Sequence, residues 1–183
     1  MSDAELMILT GLGLVLLAGW ALGRLLLPKA IRQRGRPGRP VGRAERPILV
    51  DGSNVMYWDN ETPTERSVNV VLRDLERQGY DPYVCFDANV GYKIGRRYLD
   101  SRDLGPILGL PTHRVLVSNK GVVADEVLLE IAKEKGVKIV SNDRFRDWAG
   151  AFPFVSQRER FLRGSVQDGA VRWRGAASGR TRA

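Results

Sequence analysis

Residues 48–55 read Ile-Leu-Val-Asp-Gly-Ser-Asn-Val. Three apolar residues run into an acid, a glycine and two small polar residues, the pattern of a buried strand that ends in a polar loop. The pattern recurs downstream. Tyr83-Val84-Cys85-Phe86 and Val115-Leu116-Val117 read as strands, and Val137 to Val140 as a fourth that enters Ser141-Asn142-Asp143. Between them the apolar spacing turns helical. Val68, Val71, Leu72 and Leu75 share a face within residues 64–78, closed by Gly79; Val127, Leu128, Ile131 and Ala132 do so within 125–135, closed by Gly136. Residues 92–104 read as helical or irregular, Arg144 to Trp148 and Arg158 to Arg163 as short helices, and Val171 to Trp173 as an edge strand. Alternating strands and helices predict a three-layer α/β/α domain over residues 47–163 with a central parallel sheet. In such sheets, sites form at the carboxyl ends of strands, where the strand order reverses.

The acids fall at those ends. Asp51 closes the first strand and Asp143 the fourth, while Asp125 and Glu126 open the helix after the third. If the segment after Asp143 is helical, Asp147 lies one turn on and on the same side. Each acid also has a plain structural role open to it: Asp51 in a turn with Gly52, Asp125 and Glu126 against a helix dipole, Asp143 as an N-cap. Gathered together without cations they would repel and hold raised pKa values. A hard divalent ion with oxygen ligands, Mg²⁺ or Mn²⁺, relieves that repulsion and makes water a usable nucleophile for a phosphodiester.

The stretch Ile48 to Val55, the Ala124-Asp125-Glu126 helix start and Ile139-Val140-Ser141-Asn142-Asp143-Arg144-Phe145-Arg146-Asp147 together resemble the NYN/PIN-like ribonucleases, in particular the regnase-type branch of CCCH-finger endoribonucleases. The likeness covers about residues 47–162 in order and spacing. It implies a PIN-like fold and metal-dependent endonucleolytic cleavage of single-stranded RNA. By position it makes Asp51, Asp125 or Glu126, and Asp143 the metal-binding acids, Asn54 a supporting polar residue and Asp147 an outer acid. The chain departs from the family in having Glu126 where an Asp is usual, one methylene longer. With one Cys and one His it also lacks the ligands for a zinc finger. A catalytically inactive NYN module that binds RNA or a protein partner at the membrane is the alternative reading.

Positive and aromatic residues near the acids suggest how a strand would be held. Lys93, Arg96 and Arg97, with Tyr92 and Tyr98, follow the second strand; Arg144, Arg146 and Trp148 follow Asp143. Cations grip phosphates and rings stack unpaired bases. A solvated helix face, with Trp148 in the core, is the plain alternative. Tyr57 and Trp58 trail the Asp51 loop, either stacking a base or covering the sheet. His113 has no nucleophile in a recognisable motif beside it, and no Gly-x-x-x-x-Gly-Lys-[Ser/Thr] phosphate loop occurs.

The 183-residue chain carries 29 Lys and Arg against 21 Asp and Glu, a net +8, but unevenly. Residues 24–47 hold +7 and 158–183 hold +5, while 48–157 hold −2. Residues 6–27 are predominantly apolar and uncharged apart from Arg24; at about 1.5 Å per residue they would span roughly 33 Å, enough for a bilayer core. The acidic Asp3 and Glu5 precede this span and seven basic residues from Lys29 to Arg46 follow it. That pattern predicts an uncleaved single-pass anchor in the cell (inner) membrane with the domain in the cytoplasm. Residues 28–46, rich in Pro, Gly and Arg, read as a linker that touches anionic lipid; Arg34-Gly35-Arg36-Pro37 within it weakly matches an AT-hook, and RNA phosphate is an alternative partner. Residues 164–183 read as a basic tail, disordered from Gly175. Pairing into a homo-oligomer is a further expectation, from the habit of PIN-like domains.

Overall fold

The computed structural model describes residues 45–175 apart from Arg96. The anchor expected at 6–27, residues 28–44 of the linker and residues 176–183 lie outside the described residues. Among those described, no helix is long and apolar enough to cross a membrane.

Six strands form one sheet: β1 (Pro47–Asp51), β2 (Asp81–Phe86), β3 (Val115–Val117), β4 (Lys138–Val140), β5 (Phe161–Gln167) and β6 (Ala170–Arg174), in the order β3-β2-β1-β4-β5-β6. The first five are mutually parallel, and β6 pairs antiparallel with β5. The order runs outward from β1 one way to β3 and from β4 the other way to β6. The reversal therefore lies between β1 and β4, with Val50 beside Val140.

Side-chain parity assigns the layers. Ile48, Val50, Val84, Phe86 and Val140 share one face. They pack against Val68, Val71, Leu72 and Leu75 of α2 (Glu65–Arg77) and Leu104 and Leu108 of α4 (Ser101–Leu108). The opposite face carries Leu49 and Ile139 beneath α5 (Ala124–Lys135), whose Leu128, Leu129, Ile131 and Ala132 are buried. Two short helices, α1 (Gly52–Val55) and α3 (Val90–Ile94), follow β1 and β2 directly.

Helix ends follow local chemistry. The Thr64 hydroxyl caps α2 by accepting from the Ser67 N–H, and Asp100 and Asp103 form a reciprocal capping box on α4. Gly136 ends α5 with φ 64°, a conformation that favours glycine.

Two expected helices are corrected. Residues 158–163 do not form one: a 3-10 turn at Arg158–Arg160 leads straight into β5. The apolar positions there, Phe161, Val166 and Gly164 between them, fit a strand with two different sides rather than a helical stripe. The sheet thus continues past residue 163 to Arg174. The expected helix after Asp143 is only a 3-10 turn, Arg146–Trp148, because Phe145 takes a left-handed φ of 49° before it.

Candidate functional site

Asp51 ends β1 with the parity of Leu49, so its carboxylate falls on the α5 side of the sheet beside Cys85. The chain can turn sharply after it because Gly52 has no side chain: a Cβ there would lie 2.3 Å from the Phe86 ring. Asp51 is only 6% exposed, and both its oxygens are tied. Oδ1 accepts from the Asn54 N–H at 3.0 Å and Oδ2 from the Ser141 hydroxyl at 2.8 Å. Burial pushes its pKa from 3.8 to about 7; the bonds from Ser141 and Asn54 pull it back, and the charges of Asp125 and Asp87 push it up further.

Ser141 and Asn54 join the two strand ends that flank the order reversal. The Ser141 Oγ that donates to Asp51 also accepts from the Asp143 N–H at 3.0 Å. The Asn54 side-chain oxygen accepts from the Asn142 N–H and from the Trp58 indole, each at 2.9 Å. Asn142 in turn exchanges hydrogen bonds with the Gly164 backbone. Asn54 therefore braces the loop after β4 against the loop after β1. Asp143 is exposed, and its Oδ1 accepts from the Phe145 N–H at 2.6 Å, an Asx turn that fixes the carboxylate.

Asp125 and Glu126 part company. Asp125 is half-buried, and its pKa is raised by desolvation and then by the charges of Asp143 and Asp87. Its charge also acts on Asp51. Glu126 is exposed and makes no hydrogen bond or ion pair among the described residues. Asp147, on its 3-10 turn, is likewise exposed and unpartnered there; the helical turn meant to align it with Asp143 does not form.

Sequence reasoning missed Asp87. It directly follows β2, and its charge reaches Asp51, Asp125 and Cys85. Its backbone N–H donates to the Ser53 hydroxyl at 2.9 Å, tying the β2 end to the β1 loop. The signal was available, since Asp87 ends its strand as Asp51 ends β1. Burial, then these same acids, pushes the Cys85 thiol well up, so it stays protonated.

The cations sort differently. Lys93 reaches Asp87 at 3.6 Å and lies over the Tyr57 ring, inside the acidic region. Arg97 turns away and pairs with Asp103 at the start of α4 at 3.2 Å. Arg96 lies outside the described residues. Arg144 and Arg146 are exposed beside Asp143, and Trp148 is half-buried with its ring 6.0 Å from that of Phe152. Tyr57, Tyr92 and Tyr98 are exposed; Trp58 is buried in the core, edge-on to Trp173.

Four aspartates, Asp51, Asp87, Asp125 and Asp143, thus crowd one edge of the sheet, with Lys93 paired to Asp87. They suit a hard divalent ion by donor chemistry, all oxygen and mutually repelling. Among the described residues no group of three or more His, Cys, Asp or Glu side chains is placed to hold a metal ion as they stand.

Residues 44–163 match the profile of the Zc3h12a-like ribonuclease NYN domain. Two solved structures of nuclear protein-only RNase P 2 from Arabidopsis thaliana align with this chain, the first of them sharing its fold. One aligns over 94% of this chain with 17% identity and a TM-score of 0.53. The other aligns over 72% with 18% identity and a TM-score of 0.49. The chain spans 37% and 30% of the length of those two proteins. No curated protein sequence matches.

Proposed function

This chain belongs to the Zc3h12a-like ribonuclease NYN family, a family of RNA-cleaving domains, and from that premise we propose a divalent-metal-dependent endoribonuclease acting on single-stranded RNA. The observation that carries the metal requirement is the buried Asp51, clamped by Ser141 and Asn54 and repelled by Asp87 and Asp125. A carboxylate so placed gains most from a cation. Asp51, Asp125 and Asp143 would hold Mg²⁺ or Mn²⁺, with Asp87 beside them; such an ion shields a phosphate's charge and acidifies water.

The chain's own residues supply the rest. Ser141 and the Asn54 N–H fix the Asp51 rotamer, so no reorganisation is needed when substrate arrives. Arg144 and Lys93 flank the edge, where cations would receive phosphates. The exposed rings of Tyr57 and Tyr92 offer faces on which unpaired bases stack. Duplex RNA presents no such free bases, hence the preference for single strands.

The domain sits, in this proposal, on the cytoplasmic side of a membrane, anchored by residues 6–27. The charge asymmetry of the sequence supports that orientation.

Incubation of the full-length chain with end-labelled single-stranded RNA in Mg²⁺, Mn²⁺ or EDTA tests the activity. Internal cleavage in metal and none in EDTA is expected; cleavage unaffected by EDTA would refute the metal. Binding without cleavage in either metal would identify an RNA-binding module instead. Retention in the membrane pellet after carbonate washing tests the anchor.

A further inference from the structure

Outside the acidic edge, the β5–β6 hairpin concentrates positive charge on one face. Its turn is Asp168-Gly169, both at positive φ (52° and 71°), the two-residue type that locks register. That register sets Arg163 directly opposite Arg174 and Ser165 opposite Arg172. Cross-strand partners share a face, so the three arginines lie together; Leu162, Val166, Val171 and Trp173 turn the other way into the core. Arg163 also shares parity with Phe161, whose register partner Ile139 lies on the α5 side. The arginines therefore occupy the same side of the sheet as Asp51.

The face reaches the acids through Arg163. Its guanidinium donates to the Asn142 carbonyl at 2.6 Å, one residue before Asp143. Burial first, and then the like charges of Arg144 and Arg174, depress its pKa, while Asp143 acts the other way. Like charges placed opposite each other on paired strands destabilise a sheet. Arg163 is held by the Asn142 carbonyl and lies over the Phe161 ring, but among the described residues none of Arg144, Arg163, Arg172 and Arg174 has a carboxylate ion pair, and Arg172 and Arg174 are exposed. Exposed like charges gathered on one face without acid partners point to an anionic ligand.

We propose that Arg163, Arg172 and Arg174, continued by Arg144, form a phosphate tract that carries the RNA backbone toward or away from Asp143. The proposal rests on the nuclease reading above. Alternate residues of one strand stand about 6.8 Å apart, comparable to successive phosphates of an extended single strand. A guanidinium fork matches phosphate oxygens in pairs. A duplex or a flat lipid surface would not be led into the acidic edge in this way.

The test measures fluorescence anisotropy of a labelled oligouridylate with the full-length chain in EDTA, at several salt concentrations. Arg172→Gln/Arg174→Gln should weaken binding roughly tenfold at low salt and lower the salt slope by about 1.4, at about 0.7 per phosphate contact. Arg172→Lys/Arg174→Lys should keep the slope, which a merely structural role would not predict. Unchanged affinity and slope in the Gln variant, or no RNA binding by the wild type, would overturn the tract. So would loss of retention on phosphatidylglycerol vesicles with RNA affinity kept. Wild-type cleavage in Mg²⁺ and Mn²⁺ is read in parallel. A chain that binds RNA through these arginines but never cuts fails the nuclease reading and keeps the tract; one that cuts, with the Gln variant binding normally, does the reverse.

Discussion

The acidic edge after β1, β2 and β4 and the arginine face of the β5–β6 hairpin lie on one side of one sheet, yet they are held in opposite ways. Both oxygens of Asp51 accept hydrogen bonds, Asp143 is fixed by the Phe145 N–H, and Ser141 links the two. Arg172 and Arg174 are exposed and unbonded among the described residues. Fixed side chains suit a place where a bond is to break, since small displacements there are costly. Long, free side chains suit a place where a chain is merely followed. The two regions should therefore respond to substitution in different currencies, rate for one and salt-dependent affinity for the other.

The sharpest break would come at the fixed end. Asp51→Asn and Asp143→Asn keep shape but remove charge, and each should lower the cleavage rate on the order of 10³-fold in saturating Mg²⁺, the scale at which loss of a metal-linked catalytic group is felt. Single-turnover cleavage of labelled RNA checks this, with thermal melting to show that the fold persists. Near-wild-type rates for either variant would remove it from the site.

Burial of Asp51 gives the second prediction, in stability rather than rate. The folded chain holds the Asp51 proton up to about pH 7, whereas the ordinary value is 3.8. Between those values the folded state binds more protons than the unfolded one, so stability falls as pH rises from about 4 to about 7 and then levels off. The loss attributable to this carboxyl is on the order of 4 kcal/mol at most. Urea unfolding in EDTA at pH 4.5 and 8, with the wild type compared with Asp51→Asn, checks it. The difference between the two should open as pH rises, with the Asn variant the more stable at pH 8. A pH-independent difference would mean that the carboxyl is not buried in a proton-coupled state.

Much of this was legible in the sequence, because the fold is written in short apolar runs that each end in a polar loop. Ile48 to Val50, Tyr83 to Phe86, Val115 to Val117 and Val137 to Val140 all mark strands, and three of the four site aspartates follow from their positions. The hairpin was harder to read. Arg163 and Gly164 interrupt the apolar pattern of β5, and the strand gains its identity only from pairing with β4 and β6. Asp147 was misplaced for a local reason, the left-handed Phe145 that no periodicity reveals. Asp87 needed only the rule already applied to Asp51. The choice between Asp125 and Glu126 required the actual orientation of α5.

That choice supplies a smaller test of the acidic edge. Asp125 is half-buried and feels the charges of Asp143 and Asp87, while Glu126 faces solvent one residue on. About 100° of rotation separates neighbouring residues on a helix, so only one can face the edge squarely. Asp125→Asn should cost at least about tenfold more cleavage than Glu126→Gln, a difference of about 1.4 kcal/mol in the barrier. Equal losses would show that the pair works as one unit.

The smallest expected effect separates arginines that look alike in the sequence. Arg97 stands in the same basic cluster as Lys93, but its guanidinium bonds Asp103, whose carboxylate also accepts from the Asp100 N–H in the capping box of α4. Those two bonds, the backbone one first, hold the Asp103 pKa below its ordinary value. An arginine already paired with an acid releases no counterion when RNA binds, whereas an unpaired one releases about 0.7 per phosphate on a single strand. Arg97→Gln should therefore leave RNA affinity within about twofold and the salt slope unchanged, in contrast to the drop of about 1.4 for Arg172→Gln/Arg174→Gln. Anisotropy titrations of both variants side by side make the comparison. If Arg97→Gln lowers the slope as much per residue as the hairpin variant does, pairing with an acid is no guide to which arginines hold the backbone, and the contrast between the free face and the tied one loses its physical basis.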